Sequence, residues 1–122
     1  MKVSELLHEV VPGELFTFRE GGSDVEQAQH LIDQCHPGTT AMKLLNVSGE
    51  AAGAEIPYAM SNRALHGLMH GGCYFTVGDT ITAVMCMYHV EHKDERMLTM
   101  DASIRYLRPI REEPVLAKAR LP

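Results

Sequence analysis

Asp79 is the only formally charged residue in the apolar run from Cys73 to Val90, a stretch whose composition predicts a helix buried along most of its length. Taking a carboxylate out of water is costly unless it is paired or hydrogen-bonded, so a sequence that keeps one there has a use for it. Two uses are open: a general base or nucleophile in a reaction, or a bridge between polar neighbours in the fold. Gly71-Gly72 stands immediately before the same run. Glycines let a ligand approach the backbone, and a helix start offers amide N–H groups that suit a developing oxyanion. Taken alone, the glycine pair reads more simply as a tight turn. Gly72 and Asp79 are seven residues apart, about two helical turns, which sets them on one side of the helix with Phe75 between them. His70 could donate to a carbonyl or hold the loop, and His66-Gly67 repeats the dipeptide one turn earlier.

Cys73, in the first turn, is a second candidate nucleophile because helix N-termini lower thiol pKa values, set against the commoner role of buried packing. His66 and His70 would share a metal only on a helix, and the surrounding glycines argue against one. Neither a Gly-x-Ser-x-Gly elbow nor a phosphate-binding Walker loop occurs. No metal and no cofactor is expected. His36, His89 and His92 have no chemical context, Asp94-Glu95 reads as a solvated turn, and Met85, Met87 and Met100 read as core filler.

The elements that must position these groups follow from hydrophobic period. Leu6, Leu7, Val10 and Val11 share one side of a helix predicted over Ser4–Val11 and ended by Pro12-Gly13. Ser23-x-x-Glu26 has the form of a capping box, with Val25, Ala28, Leu31, Ile32 and Cys35 following at helical spacing until His36-Pro37-Gly38. Thr40–Val47 and Ala54–Met60 predict a β-hairpin around Ser48-Gly49-Glu50. Leu98, Met100, Ala102, Ile104 and Tyr106 alternate with polar residues, the period of a strand with one buried face, and this is the clearest strand in the sequence. Pro114–Leu121 reads as its hairpin partner. Helices, a hairpin, a buried helix over about 71–90 and further strands predict an α+β fold, one long helix on an antiparallel sheet. Four strands can be counted, and the last would leave an open apolar edge unless another chain covers it.

The 122 residues, 45% hydrophobic and 22% charged, fit a single domain. So small a domain buries only about two-thirds of its unfolded surface, which favours association with a partner subunit. Eleven basic residues against sixteen acidic, scattered without a stripe or tail, exclude nucleic acid as an expected partner. Three cysteines in no ligand spacing predict a reducing, cytoplasmic setting, and Asp79 with the threonines beside it argues against a membrane span.

The run His70-Gly71-Gly72-Cys73-Tyr74-Phe75-Thr76-Val77-Gly78-Asp79 resembles the His-Gly-Gly to Asp signature of the PaaI-like hotdog acyl-CoA thioesterases, with the same nine-residue spacing. Downstream, Leu98 to Pro109 is similar to the family's next strand and its Tyr-Leu-x-Pro ending. The resemblance covers Asn62 to Leu121. It implies a hotdog domain over 1–122, in which 1–38 form an N-terminal helical extension and 39–122 the core, with the closing strands missing. It further implies an acyl-CoA substrate and a homodimer or dimer of dimers whose site lies at the subunit interface.

The resemblance also implies a role for each matching residue. Asp79 would act as general base or as nucleophile through an acyl intermediate, the Gly72 N–H would polarise the thioester carbonyl, and His70 would support that loop. Thr99 would help to position the water from the partner subunit. Relatives commonly carry an Asn six residues before this histidine, where this chain has Ala64, so Asn62 or His66 takes that place. Gly71 and Phe75 would line the substrate. Read from the residues alone, Arg105 and Arg108 could meet the coenzyme phosphates, set against the commoner role of exposed arginines at a strand end, which is solvation. Two alternatives share the fold: an enoyl-thioester hydratase or dehydratase, and a non-catalytic acyl-CoA-binding module.

Overall fold

The structure of the protein, a computed structural model, describes residues 3–92, 95 and 97–122; Asp94 of the expected solvated turn lies outside them. In chain order the elements are α1 (Val3–Val10), α2 (Asp24–Ile32), β1 (Lys43–Val47), β2 (Ala51–Ile56), α3 (Gly71–Met87) and β3 (Val115–Arg120). Two short 3₁₀ turns, His36–Thr40 and Met60–Asn62, join them.

The predicted capping box is formed. The Ser23 hydroxyl accepts from Glu26 N, and the Glu26 carboxylate reaches back to Ser23 N, so two amides at the start of α2 are satisfied reciprocally. That bond and Arg19 at 2.7 Å hold the Glu26 carboxyl below its usual range, with Ser23 the larger influence. Helix α2 then buries Ala28, Leu31 and Ile32. Gln29 ties it to the sheet edge: its side chain donates to Met42 O at 3.0 Å and accepts from Leu44 N at 2.6 Å. A backbone that would otherwise present a bare edge strand is thereby partly satisfied.

The sheet is antiparallel with order β1-β2-β3. Ala52, Ala54 and Ile56 of β2, spaced by two, turn inward with Leu44 of β1 and meet Cys73, Val77, Ile81, Val84 and Met85 of α3. This is the core, and α3 lies across it as the long helix on the sheet. A second cluster joins Leu7 and Leu31 to Val11, Phe16 and Phe18, attaching α1 to α2 and to the end of α3.

Three expectations are corrected. Helix α3 ends at Met87 instead of near residue 90, and it is buried on one side only: Phe75 is 41% exposed, and Asp79, Thr82 and Ala83 are exposed as well. An all-apolar composition says that both sides seek cover, yet the sheet of one chain covers only one. The strand expected over Leu98–Tyr106 does not form, so among the described residues the sheet has three strands instead of four. Its alternating apolar residues face outward, Leu98 at 87% and Met100 at 98% exposure. Finally, β3 pairs with β2 in a continuous register from Ala51↔Arg120 to Ile56↔Val115, not with the 98–106 segment. Period two reports that alternate residues want different surroundings; which edge supplies the ladder is decided in three dimensions.

Candidate active site

The loop before α3 is built on Asn62. This side chain is 1% exposed, and its amide donates to Thr40 O at 2.8 Å and Pro57 O at 3.0 Å. The backbone carbonyl of Asn62 accepts from His70 N at 2.7 Å, so this residue also fixes the one that starts the helix. The side chain is spent on the fold and faces no cleft, which corrects its expected part in binding substrate. Asn62→Ala is expected to destabilise the protein by about 2–4 kcal/mol, because two interior carbonyls lose their donor and a void is left. The check is a lower urea midpoint at unchanged slope.

His70 is the N-cap of α3, and its Nδ1 accepts from Gly72 N at 2.8 Å. Cys73 N donates to His70 O at 3.0 Å. The expectation that Gly72 N–H polarises a carbonyl is therefore corrected: that donor is already used by the cap. Gly71, at the first helical position, makes no amide hydrogen bond among the described residues, and a helix leaves its first N–H groups without internal acceptors. The open donor is Gly71.

Tyr106, not singled out among the site residues from sequence, lies against Gly71. Its hydroxyl donates to Gly71 O at 3.0 Å, and a Cβ at position 71 would sit 3.1 Å from its ring. Its ring also stands 5.8 Å from that of Tyr74. Glycine at 71 thus makes room for the aromatic ring. Cys73 is excluded as a nucleophile: it is buried, its thiol faces Asn62 O, and burial pushes its pKa up, which disfavours the thiolate.

Asp79 sits two turns further along, on the exposed side of α3. It is not the buried carboxylate that the sequence suggested. Thr99 Oγ1 donates to Asp79 Oδ1 at 2.6 Å, so these two expected site residues do come together. Thr99 does so within one chain, where the resemblance implied it would come from a partner. Asp79 and Thr99 border a cleft of about 820 Å³ whose other walls include Phe75, Tyr74, Thr76, Gly78 and the 101–104 segment. Nothing lies within 4 Å of where a Gly78 side chain would begin, so the floor of the cleft beside Asp79 is open.

His36 also borders this cleft, with Nε2 3.1 Å from Thr76 Oγ1. No local signal in the sequence marks it, since the pair is 40 positions apart and brought together by the 3₁₀ turn after α2. His66, Arg105 and Arg108 do not border the cleft: His66 Nδ1 accepts from Leu68 N at 3.2 Å within its own turn, and both arginines are exposed. Among the described residues, no group of three or more His, Cys, Asp or Glu side chains is placed to hold a metal.

A helix start with an open amide, and a carboxylate on the same helix at the edge of a cleft, suit acyl transfer to water. The family model of the thioesterase superfamily matches residues 66–121. Over these residues the chain is similar to that superfamily. The match takes in the helix start, Asp79, Thr99 and Tyr106 together.

The chain is also similar to solved structures. A mutant thioesterase from Pseudomonas aeruginosa aligns with a TM-score of 0.73 at 19% identity, covering 84% of this chain and 73% of that one. A thioesterase from Haemophilus influenzae aligns with a TM-score of 0.72 at 18% identity, over 84% and 71% of the two chains. A conserved protein from Pseudomonas aeruginosa aligns with a TM-score of 0.60 at 25% identity, over 68% and 66%. Identities this low establish the fold, which is the hotdog fold of these thioesterases. No curated protein matches the chain. None of the helices among the described residues is long and apolar enough to cross a membrane.

Proposed function

We propose that the protein hydrolyses acyl-CoA thioesters. The observation that carries this reading is Asp79 at the edge of an 820 Å³ cleft with a hydroxyl, Thr99, 2.6 Å from its carboxylate. A carboxylate steadied through one oxygen keeps the other for a water or for direct attack, so both the general-base and the acyl-enzyme route remain available to it. Gly71 N–H supplies the positive end for the oxyanion, and His70 holds that turn by capping Gly72.

Geometry supports a site shared between two copies of the chain. Gly71 and Asp79 are eight residues apart on one helix, about 12 Å, and the N–H groups at a helix start point away from its body. A carbonyl oxygen bound there lies about 3 Å further out, whereas a carboxylate, its water and the carbonyl oxygen span only about 6 Å. Asp79 therefore serves the helix start of a second copy, and the homodimer, alone or doubled, is part of the proposal. The outward apolar residues Met97, Leu98, Met100, Leu107 and Leu116 supply surface for such an association.

The hydratase alternative needs a histidine as base. His70 accepts through Nδ1, so its neutral form carries the proton on Nε2 and is a donor, which favours hydrolysis. The test is a panel of acyl-CoAs with free-thiol detection on the purified chain. Thiol release with at least one acyl-CoA is expected; binding without thiol release, or hydration of an enoyl-CoA without it, overturns the reading.

A further inference from the structure

An apolar groove of about 230 Å³, open to solvent along one side, lies between α1, α2 and α3, at the seam where the cluster around Leu7 and Leu31 meets the main core. Its walls include Leu7, Phe16, Leu31, Cys35, Val84 and Met87. Pro37 and Thr80 border both this space and the Asp79 cleft. Thr80 follows Asp79 directly, and its hydroxyl is turned back to Thr76 O at 2.6 Å, which leaves its methyl group free to face the apolar side. An apolar space left unfilled forfeits the contacts its walls would make, so a chain that keeps one next to its reactive carboxylate has a use for it.

We propose that this space receives the distal end of the substrate's acyl chain, which enters from the Asp79 cleft past Pro37 and Thr80. The inference rests on the hydrolase reading and adds the substrate class: acyl groups of medium length with an apolar end. A dry apolar cavity of roughly 150 Å³ admits the six carbons of benzene. By the same measure 230 Å³ holds roughly eight to ten carbons in file. Among the described residues, no cation or hydrogen-bonding side chain other than the turned-back Thr80 and the Cys35 thiol borders it, and that thiol is directed to Leu31 O at 3.4 Å. The walls therefore offer an acyl terminus apolar contact and little else. Of the segments that build this pocket, α1, the 12–16 stretch, α2 and the turn after it lie outside the matched residues 66–121, and only α3 lies within them, so the N-terminal segment supplies most of its walls.

The test compares kcat/KM on acetyl-, butyryl-, octanoyl-, decanoyl- and dodecanoyl-CoA for the wild type, Val84→Phe and Phe16→Ala, with calorimetric binding of free decanoate as a second readout. Val84→Phe fills the pocket and is expected to lower the ratio of decanoyl to acetyl turnover by about tenfold or more, and to abolish decanoate binding. Phe16→Ala, at a half-buried position, lengthens the pocket and moves the optimum toward dodecanoyl-CoA. If Val84→Phe does not fold, Phe16→Ala decides. An unchanged chain-length profile in the folded variants, with thiol release intact, overturns the pocket and leaves the hydrolase reading standing. Decanoate binding that Val84→Phe abolishes, in a wild type that releases no thiol from any acyl-CoA, supports the pocket and overturns the hydrolase reading.

Discussion

Asp79→Asn is expected to lower kcat for acyl-CoA hydrolysis by about 10³-fold or more, with KM and stability nearly unchanged. The amide keeps the volume of the carboxylate and an oxygen that can still accept the Thr99 hydroxyl, which now reaches Asp79 Oδ1 at 2.6 Å. It cannot take a proton from water at neutral pH, and it is a poor nucleophile, so either route is lost. Removing a positioned general base accounts for about 10²–10⁴ in rate, and removing a nucleophile for at least as much. Because Asp79 is exposed, no desolvation is relieved, and a change within about 0.5 kcal/mol is expected in the denaturation midpoint. Steady-state kinetics with thiol detection and a urea titration check both halves. Full activity in a folded Asp79→Asn chain removes Asp79 from the mechanism. In the wild type, a rapid burst of thiol ahead of the steady rate identifies the acyl-enzyme route.

The second large effect is complementation between two inactive chains. Gly71→Pro deletes the open amide with little disturbance to the helix: proline suits the first helical position, and the preceding His70 has ψ of 131°, in the region that a following proline requires. Loss of one oxyanion donor costs about 10²–10³ in kcat. Gly71→Ala keeps the N–H and crowds Tyr106 in the same way, so it separates the donor from the crowding. If Asp79 of one copy works on the helix start of the other, a mixed dimer of Asp79→Asn with Gly71→Pro contains one site with both changes and one with neither. Equal amounts of the two chains, unfolded and refolded together, then recover about a quarter of wild-type activity, since about half the dimers are mixed and each has one intact site. Sites contained within one chain recover none. Sizing of the refolded sample confirms that dimers formed.

The 98–107 segment bears on the same point. In a single chain its apolar residues face outward, Thr99 reaches Asp79, and Tyr106 reaches Gly71. One segment thus touches the two halves of the proposed site, at the start and at the middle of α3. A second copy against this face would cover Leu98 and Met100 and close the cleft over Asp79.

Local patterns were legible wherever a few neighbouring residues settle the outcome. The capping box at Ser23 depends on four consecutive residues, and the hairpin turn at Ser48-Gly49-Glu50 is where the sequence puts it, with strand edges displaced because pairing, not propensity, sets them. The long helix starts at Gly71, as the change of composition there implies. Asp79 stood out as a lone charge among apolar residues, and Thr99 through the family resemblance; the hydrogen bond between them joins positions 20 apart.

What the sequence by itself determined about this protein is the type and order of its helices, the hairpin, and the lone carboxylate, Asp79, that borders the cleft, because those follow from periodicity and chemical type. Tertiary structure alone decided that β3 pairs with β2, that Asn62 is a clamp on Thr40 and Pro57 instead of a ligand, and that His70 takes the Gly72 amide and leaves Gly71 open. It also placed His36 and Tyr106 beside the candidate site. Each of these is a competition among several possible partners for one donor, one edge or one volume. Its outcome depends on distances between residues remote in sequence, which no local pattern contains.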